Sequence, residues 1–362
     1  MRKWRNLSKT MGAETNMWLF RILGAVLTTA VVCAFTTPSA NAQTAPATDS
    51  LRVTLCGTSG PLPIRDRAKP CVAIQAGGGL YLIDIGPEAT KNLMLWRMPL
   101  GAIKAVFITH LHSDHIGGLG EFNMQSWVAG RPAALPLIGP PGVDHLGAGF
   151  NEAYGPDHGF RHAHHEHDSV KLPLALGLLA PKVVTLPAKG DANGVREAVV
   201  WSQDGLKVTA IAVEHSPANP AYAYRFDYKG RSVVVSGDTI KWPPLAVAAK
   251  GADVLLHEAQ NSDMTRMTVN GLTMSGNPRL ASIMKDTLSY HTTPVEAAEI
   301  AKAAGVKALV LYHLTQAGLP FFTPQSFTKG IDAVGFPDWR LAKDGMTIDL
   351  PVGSTAIDFG QY

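Results

Sequence analysis

The stretch Thr109-His110-Leu111-His112-Ser113-Asp114-His115 places three imidazoles and a carboxylate within six consecutive residues. It follows an apolar run, Ala105-Val106-Phe107-Ile108, that reads as a strand. Imidazole and carboxylate donors suit zinc and its neighbours, and a sharp turn at a strand end aims alternate side chains at two ions. The competing reading is a surface histidine cluster. Four donors in H-x-H-x-D-H order argue against it.

The chain has 362 residues, and 1–42 read as a secretory signal peptide. Arg2, Lys3, Arg5 and Lys9 give a basic start, an apolar run covers about 22–35, and Ala40-Asn41-Ala42 sets a cut before Gln43. The apolar run is short for a membrane span, which needs about 20 residues, although an uncleaved anchor is the alternative. A periplasmic or secreted protein with no stable membrane association after cleavage is therefore expected. The leader carries five of the 32 basic and one of the 29 acidic residues, which leaves 27 against 28. A net charge near zero supplies no broad positive field, so no nucleic-acid partner is expected. Past residue 42 the cysteines are Cys56 and Cys71. They fall on neighbouring predicted strands, where a disulfide and a pair of buried thiols are equally open.

The remainder, 43–362, reads as one α/β domain. Strands are predicted over 52–56, 71–75, 80–85 and 104–109, with Gly77-Gly78-Gly79 closing a hairpin. A helix follows Gly117 and Gly118 as far as Trp127, then a strand over 135–138 and a helix over 143–154. Residues 155–200 read as a His-rich insertion: His158, His162, His164, His165 and His167 crowd a polar loop or cap. Strands resume over 207–213, 223–228, 232–236, 254–257 and 308–312, with helices over 243–250 and 294–304. Thr293 and Glu296 form a capping box for the last helix. Residues 260–290 read as pocket-lining loops, with Met264, Met267 and Met274 as an adaptable apolar wall or as ordinary packing. Two sheets sandwiched between helices fit this order.

Further polar donors sit just past short apolar strands: Asp84, His215, Asp238, His257 with Glu258, and His313. Edge loops of one sheet system would bring them to a common rim. With these residues the sequence resembles the metallo-β-lactamase superfamily, in the branch of ribonuclease Z and a class of bacterial arylsulfatases. The resemblance runs from about Leu51 to Leu341. It rests on Leu82-Ile83-Asp84-Ile85-Gly86, the histidine turn, Val213-Glu214-His215, Ser236-Gly237-Asp238-Thr239, His257-Glu258-Ala259, Tyr290-His291-Thr292-Thr293 and Leu311-Tyr312-His313. It implies a four-layer αββα sandwich, with two mixed β-sheets flanked by helices.

The same resemblance implies two Zn2+ per chain, with Mn2+ or Fe2+ as alternatives. His110, His112 and His215 would hold one ion, and Asp114, His115 and His313 the other, with Asp238 bridging. Asp84, His257 and Glu258 would surround them, Asp84 and Glu258 as acceptors that orient ligand imidazoles. Asp114 and His291 take the catalytic positions, His291 assisting the leaving group as a proton donor. A hydroxide between the metals would attack the substrate. The interval between Tyr224 and Asp238 is too short for the long arm with which ribonuclease Z grips tRNA. Export, charge and that missing arm make an exported hydrolase of a small ester, a phosphodiester or aryl sulfate, the leading expectation. A lactonase or carboxyl-ester hydrolase is the enzymatic alternative, and a His-rich metal-binding protein the non-enzymatic one. Arg161 or Arg225 is a candidate anion holder, and a homodimer is common among the relatives.

Overall fold

The computed structural model describes residues 49–167 and 169–362, so the expected signal peptide over 1–42 lies outside the described residues. β1 (Ser50–Gly57) pairs antiparallel with β2 (Cys71–Ala76), which turns into β3 (Gly79–Ile83). Gly77 and Gly78 make that turn at φ 57° and 75°, a left-handed geometry that a Cβ resists. Crossovers follow. α1 (Ala89–Leu95) leads to β4 (Ile103–Phe107); α2 (Ser113–Ile116) and α3 (Leu119–Val128) lead to β5 (Leu135–Gly139). α4 (Val143–His164) leads to β6 (Leu179–Val183), and β3 to β6 are parallel.

β7 (Glu197–Gln203), β8 (Leu206–Val213), β9 (Ala221–Tyr228) and β10 (Arg231–Val235) form an antiparallel meander. α5 (Pro243–Ala248), β11 (Val254–Ala259), α6 (Ser262–Met274), α7 (Pro278–Asp286), α8 (Pro294–Ala304), β12 (Ala308–Leu314), α9 (Pro324–Phe327) and β13 (Trp339–Leu341) come next. β10 to β13 are parallel. β14 (Met346–Pro351) and β15 (Asp358–Gln361) return to extend the first sheet beside β1. The described residues thus form an eight-stranded sheet, β15-β14-β1-β2-β3-β4-β5-β6, and a seven-stranded sheet, β13-β12-β11-β10-β9-β8-β7.

The central core lies between the sheets, where Val53, Tyr81 and Phe107 meet Tyr224, Phe226 and Val310. Phe107 packs 5.4 Å, centroid to centroid, from both Tyr224 and Phe226. Outer clusters join Leu82 and Val106 to Leu119 and Phe122 on one side, and Val234 and Leu255 to Ala297 and Ala301 on the other. Helices therefore cover both outer faces, and the αββα sandwich expected from the sequence is the observed fold. Because both faces are covered, β10 and β12 are buried throughout, and Val233–Val235 and Ala308–Leu311 within them are unbroken apolar runs. Burying one such Leu or Phe contributes about 1.5–3 kcal/mol, so Phe107→Ala would cost about 3–5 kcal/mol.

Two stretches differ from their sequence reading. The 155–200 segment is largely regular rather than a loop: α4 continues through Pro156 to His164, and β6 and β7 each add an edge strand to a sheet. Its second half is held inward because His158 is buried and packs its ring 5.0 Å from Trp127. Asn151 also exchanges hydrogen bonds with the Leu179 backbone at 3.0 and 2.9 Å. Residues 260–290 are helices rather than loops. Asn261 caps α6 by accepting from Met264 N (2.9 Å), and Asn277 caps α7 by accepting from Leu280 N (3.2 Å). The capping box of α8 is present as expected. Cys56 and Cys71 form a disulfide with Cα atoms 5.0 Å apart, at the ends of β1 and β2.

Candidate metal centre

The donors singled out in the sequence gather at one rim of the sandwich. Asp84 follows β3, His110 and His112 follow β4, and Asp114 and His115 open α2. His215 follows β8, Asp238 follows β10, and His313 lies at the end of β12. Ligand sites in sheets with parallel strands form at the carboxyl ends of those strands, and this rim obeys the rule. The backbone is bent to serve it. Asp84 and His313 adopt left-handed φ values of 57° and 51°, a conformation that costs about 1–3 kcal/mol per residue and persists where surroundings impose it. Gly237, at φ 60°, delivers Asp238; a Cβ there would lie 2.7 Å from Tyr222 O.

One carboxylate oxygen organises the centre. Asp238 Oδ2 lies 3.3 Å from His313 Nε2, 3.4 Å from His115 Nε2, 3.9 Å from His215 Nε2 and 4.0 Å from His110 Nε2. Asp114 Oδ2 is 3.4 Å from His313 Nε2 and 3.7 Å from His115 Nε2. On the other side His112 Nδ1 approaches His110 Nε2 at 2.8 Å and His215 Nε2 at 3.4 Å. Two donor groups result, His110, His112, His215 and Asp238, and then Asp114, His115 and His313, each with its ligand atoms within 4.8 Å of one another. Asp238, His291 and His313 satisfy the same distance.

The residues fit divalent cations. His115 Nε2, His313 Nε2 and Asp238 Oδ1 are buried without a hydrogen-bond partner. Leaving such an atom unpaired costs about 1–3 kcal/mol, a cost a cation removes by taking the lone pairs. Protonation points the same way. Burial pushes His110 well below the ordinary imidazole value, helped by its neighbour His115, and burial also lowers His112 and His215. These rings are neutral, as metal ligands must be. Burial opposes charge on His115 too, yet Asp238, Asp84 and Asp114 hold its pKa well above the ordinary value. Burial likewise opposes ionisation of Asp114, but His115 and His313 bring its pKa down to about 2. Asp238 lies well below the usual carboxylate range: His313 and His115 outweigh its burial. A cation would displace the proton that His115 shares with these carboxylates.

Hydrogen bonds around the donors fix their orientation. Asp84 Oδ2 accepts from His115 Nδ1 at 2.7 Å, and its carboxylate also accepts from Thr109 N and Thr109 Oγ1, both at 2.8 Å. Thr109 Oγ1 is 3.0 Å from His110 Nδ1 as well. His215 Nδ1 donates to Tyr290 O at 2.8 Å. Glu258 Oε1 accepts from His291 Nδ1 at 2.9 Å and from Thr239 N and Thr292 N at 3.2 Å. Burial lowers the pKa of His291, but Glu258 reverses the effect and raises it above the ordinary value. Thr109 and the Tyr290 carbonyl were not singled out in the sequence; Thr109 stood inside the decisive stretch, and only its place at the strand end hinted at its use.

Other expected participants lie elsewhere. His257 is buried on β11, donates from Nδ1 to Glu258 O at 2.8 Å, and has no partner at Nε2. It therefore orients no donor imidazole. Arg161 pairs with Asp157 on α4, and Arg225 bonds Asp227 and the carbonyls of Ala248 and Lys250. Met264 is buried, Met267 and Met274 are exposed, and none of the three lines the cavity beside the donors. That cavity, of about 320 Å³, is walled by Leu62, Leu280, Ile283, Met284 and Tyr290 opposite His112, Asp114, Asp238 and His291.

A β-lactamase superfamily domain matches residues 80–314, which span every donor. Ribonuclease Z from Mycobacterium marinum is 33% identical over 270 residues, covering 74% of this chain and 87% of that protein. Among solved structures, human tRNase Z, short form, superposes with a TM-score of 0.59 at 22% identity, over 83% of this chain and 99% of that one. The metallo-β-lactamase fold protein YhfI from Bacillus subtilis gives 0.57 at 20%, over 83% and 100%. The fold, the donor rim and these matches define a metal-dependent hydrolase of the metallo-β-lactamase superfamily. Within that superfamily the chain belongs with the ribonuclease Z-like members.

These relatives correct two expectations. A hydrolase of a small ester with no nucleic-acid partner does not stand against relatives whose names specify RNA as substrate at 33% identity, whereas the expected export concerns residues outside those described. A net charge near zero past residue 42 is an average and says nothing of the local field at the donor rim. The arm argument failed because it tested one position. β9 and β10 are indeed joined by the short turn at Lys229-Gly230, which excludes an arm there and nowhere else.

Proposed function

We propose that the chain is a metal-dependent phosphodiesterase that cleaves RNA, tRNA included, using two divalent cations with zinc as the resident metal. The observation that carries this reading is the position of Asp238 Oδ2, within 4.0 Å of four imidazole nitrogens and between two donor groups. His110, His112 and His215 would hold one cation, Asp114, His115 and His313 the other, and Asp238 both. Bound there, the cations supply Lewis-acid charge for phosphoryl oxygens and acidify water.

The rest falls to the chain's own residues. Asp84 locks the His115 ring through Nδ1, and the Tyr290 carbonyl locks His215, so their Nε2 atoms face the centre. His291 is tied to Glu258 through Nδ1, which leaves Nε2 as the nitrogen that gives a proton to the departing ribose oxygen. Glu258 keeps that imidazole protonated at higher pH than burial alone would allow. The Cys56–Cys71 disulfide favours an oxidising compartment for the folded chain.

The test is direct. Purified protein loaded with zinc is assayed for metal content and then offered precursor tRNA and a bis-aryl phosphate. Cutting of the RNA backbone at a defined site, with about two zinc ions per chain, is the expected result. Protein that holds both ions yet leaves every RNA intact would overturn the assignment.

A further inference from the structure

The cavity beside the donors has two unlike walls. On one side stand the carboxylates and imidazoles. On the other, α7 and the residue that caps its end present Leu280, Ile283, Met284 and Thr287 at positions i, i+3, i+4 and i+7, a single stripe along the cavity. Leu280 and Ile283 remain 37% and 50% exposed, whereas a stripe turned into the core would be covered. Tyr290 closes the side nearest His215, its ring 5.2 Å from the imidazole. Among the described residues no Lys or Arg lines the cavity. Besides Asp238 Oδ1 at the donor rim, Thr315 Oγ1 is buried without a hydrogen-bond partner, and Thr315 lines the cavity.

Whatever enters this space is attached to the group being hydrolysed, because Asp114, Asp238 and His291 form its far wall. A phosphate belongs at that far wall. The near wall offers apolar faces, an aromatic ring and the hydroxyls of Thr287, Tyr290 and Thr315, which suit a flat ring with a polar edge. The volume, about 320 Å³, is at the small end of ligand sites. It admits a ring system.

Resting on the RNA phosphodiesterase reading, we propose that this cavity is a nucleobase site. The base of one nucleotide flanking the scissile phosphate leaves its stack, lies against Leu280, Ile283 and Tyr290, and meets Thr315 Oγ1 at its edge. Stacking on protein rings is tolerant of sequence, so the site selects an unpaired nucleotide rather than a particular base. The enzyme then requires single-stranded RNA at the point of cleavage.

Calorimetric titration of metal-loaded protein with uridine 5′-monophosphate and with ribose 5-phosphate tests the site without any turnover. The nucleotide should bind about ten-fold or more tightly than the sugar phosphate. Ile283→Ala, at a half-exposed position, and Leu280→Ala should each reduce that preference with metal content unchanged. Thr315→Val should reduce it further when combined with Ile283→Ala. Equal affinity of the two ligands for the unaltered protein, or a preference that survives all three substitutions, would overturn the proposal. A second arm separates the readings: RNA carrying one abasic residue beside the mapped cut should be cleaved with raised KM. Failure to cut any RNA while the nucleotide preference persists would count against the phosphodiesterase assignment and leave the base site standing.

Discussion

The donor rim and α7 of the α6–α7 arch face each other across one cavity, and they are built by opposite rules. The rim hangs from strand ends of two sheets, its side chains are mostly buried, and its imidazoles are fixed by Asp84, Glu258 and backbone carbonyls. The arch is two capped helices whose apolar stripe stands half in solvent. Rigid elements keep metal donors in register, and the penalty for moving any one is shared by all. The arch has no such constraint, so it can change what is recognised without disturbing what is done.

If that division holds, substitutions on the two walls should fail in different ways. Asp238→Ala strikes the rim hardest: turnover should fall to background and bound metal should drop, as elemental analysis would report. Retention of both ions and activity would remove the shared-carboxylate centre. His291→Ala should lower the rate by about 100- to 10,000-fold while metal content is retained. The loss should be larger for RNA than for an activated aryl ester, whose leaving group departs without a proton; equal losses would end its role as acid. Thr109→Val removes hydroxyl contacts to Asp84 and His110, and metal affinity should weaken about 10- to 100-fold with the fold intact.

Glu258→Gln gives a subtler effect, read in the pH profile of kcat/KM. The Glu258 charge raises the His291 pKa above its ordinary value against burial, so the acid form persists to higher pH. Removing that charge leaves burial opposed only by the more weakly acting Asp238 and Asp114, and the high-pH limb should move to lower pH. An unmoved limb would assign it to another group. Smallest of all, Ile283→Ala on the arch should change KM and leave metal content alone. Loss of metal in that variant would show that the walls are coupled.

How far each wall could be read from the chain follows from its chemistry. Donors such as Asp84, His215, Asp238 and His313 interrupt apolar runs, and a charged or titratable residue just past a buried strand stands out. These four reached the rim, whereas His257, which follows the same rule, orients no donor. Leu280, Ile283 and Met284 did not stand out, because an apolar stripe at helical spacing looks the same whether it faces a core or a cavity. The caps Asn261 and Asn277 were present but were outweighed by the Met/Thr/Asn content around them, which suggested loops. His158 was taken with its polar neighbours, although Trp127, distant in sequence, supplies the surface that buries it. The left-handed backbones of Asp84 and His313 leave no mark on composition at all.

The Cys56–Cys71 bridge joins the two strands that flank residues 57–70, and Pro61 and Leu62 from that segment reach the cavity. The segment is tied at its root by the sulfur bond and again by β12, where Leu314 N donates to Thr58 O at 2.8 Å and Ser59 bridges Leu314. One cavity wall is thus fastened to the strand that carries His313, so recognition and metal holding share a backbone there.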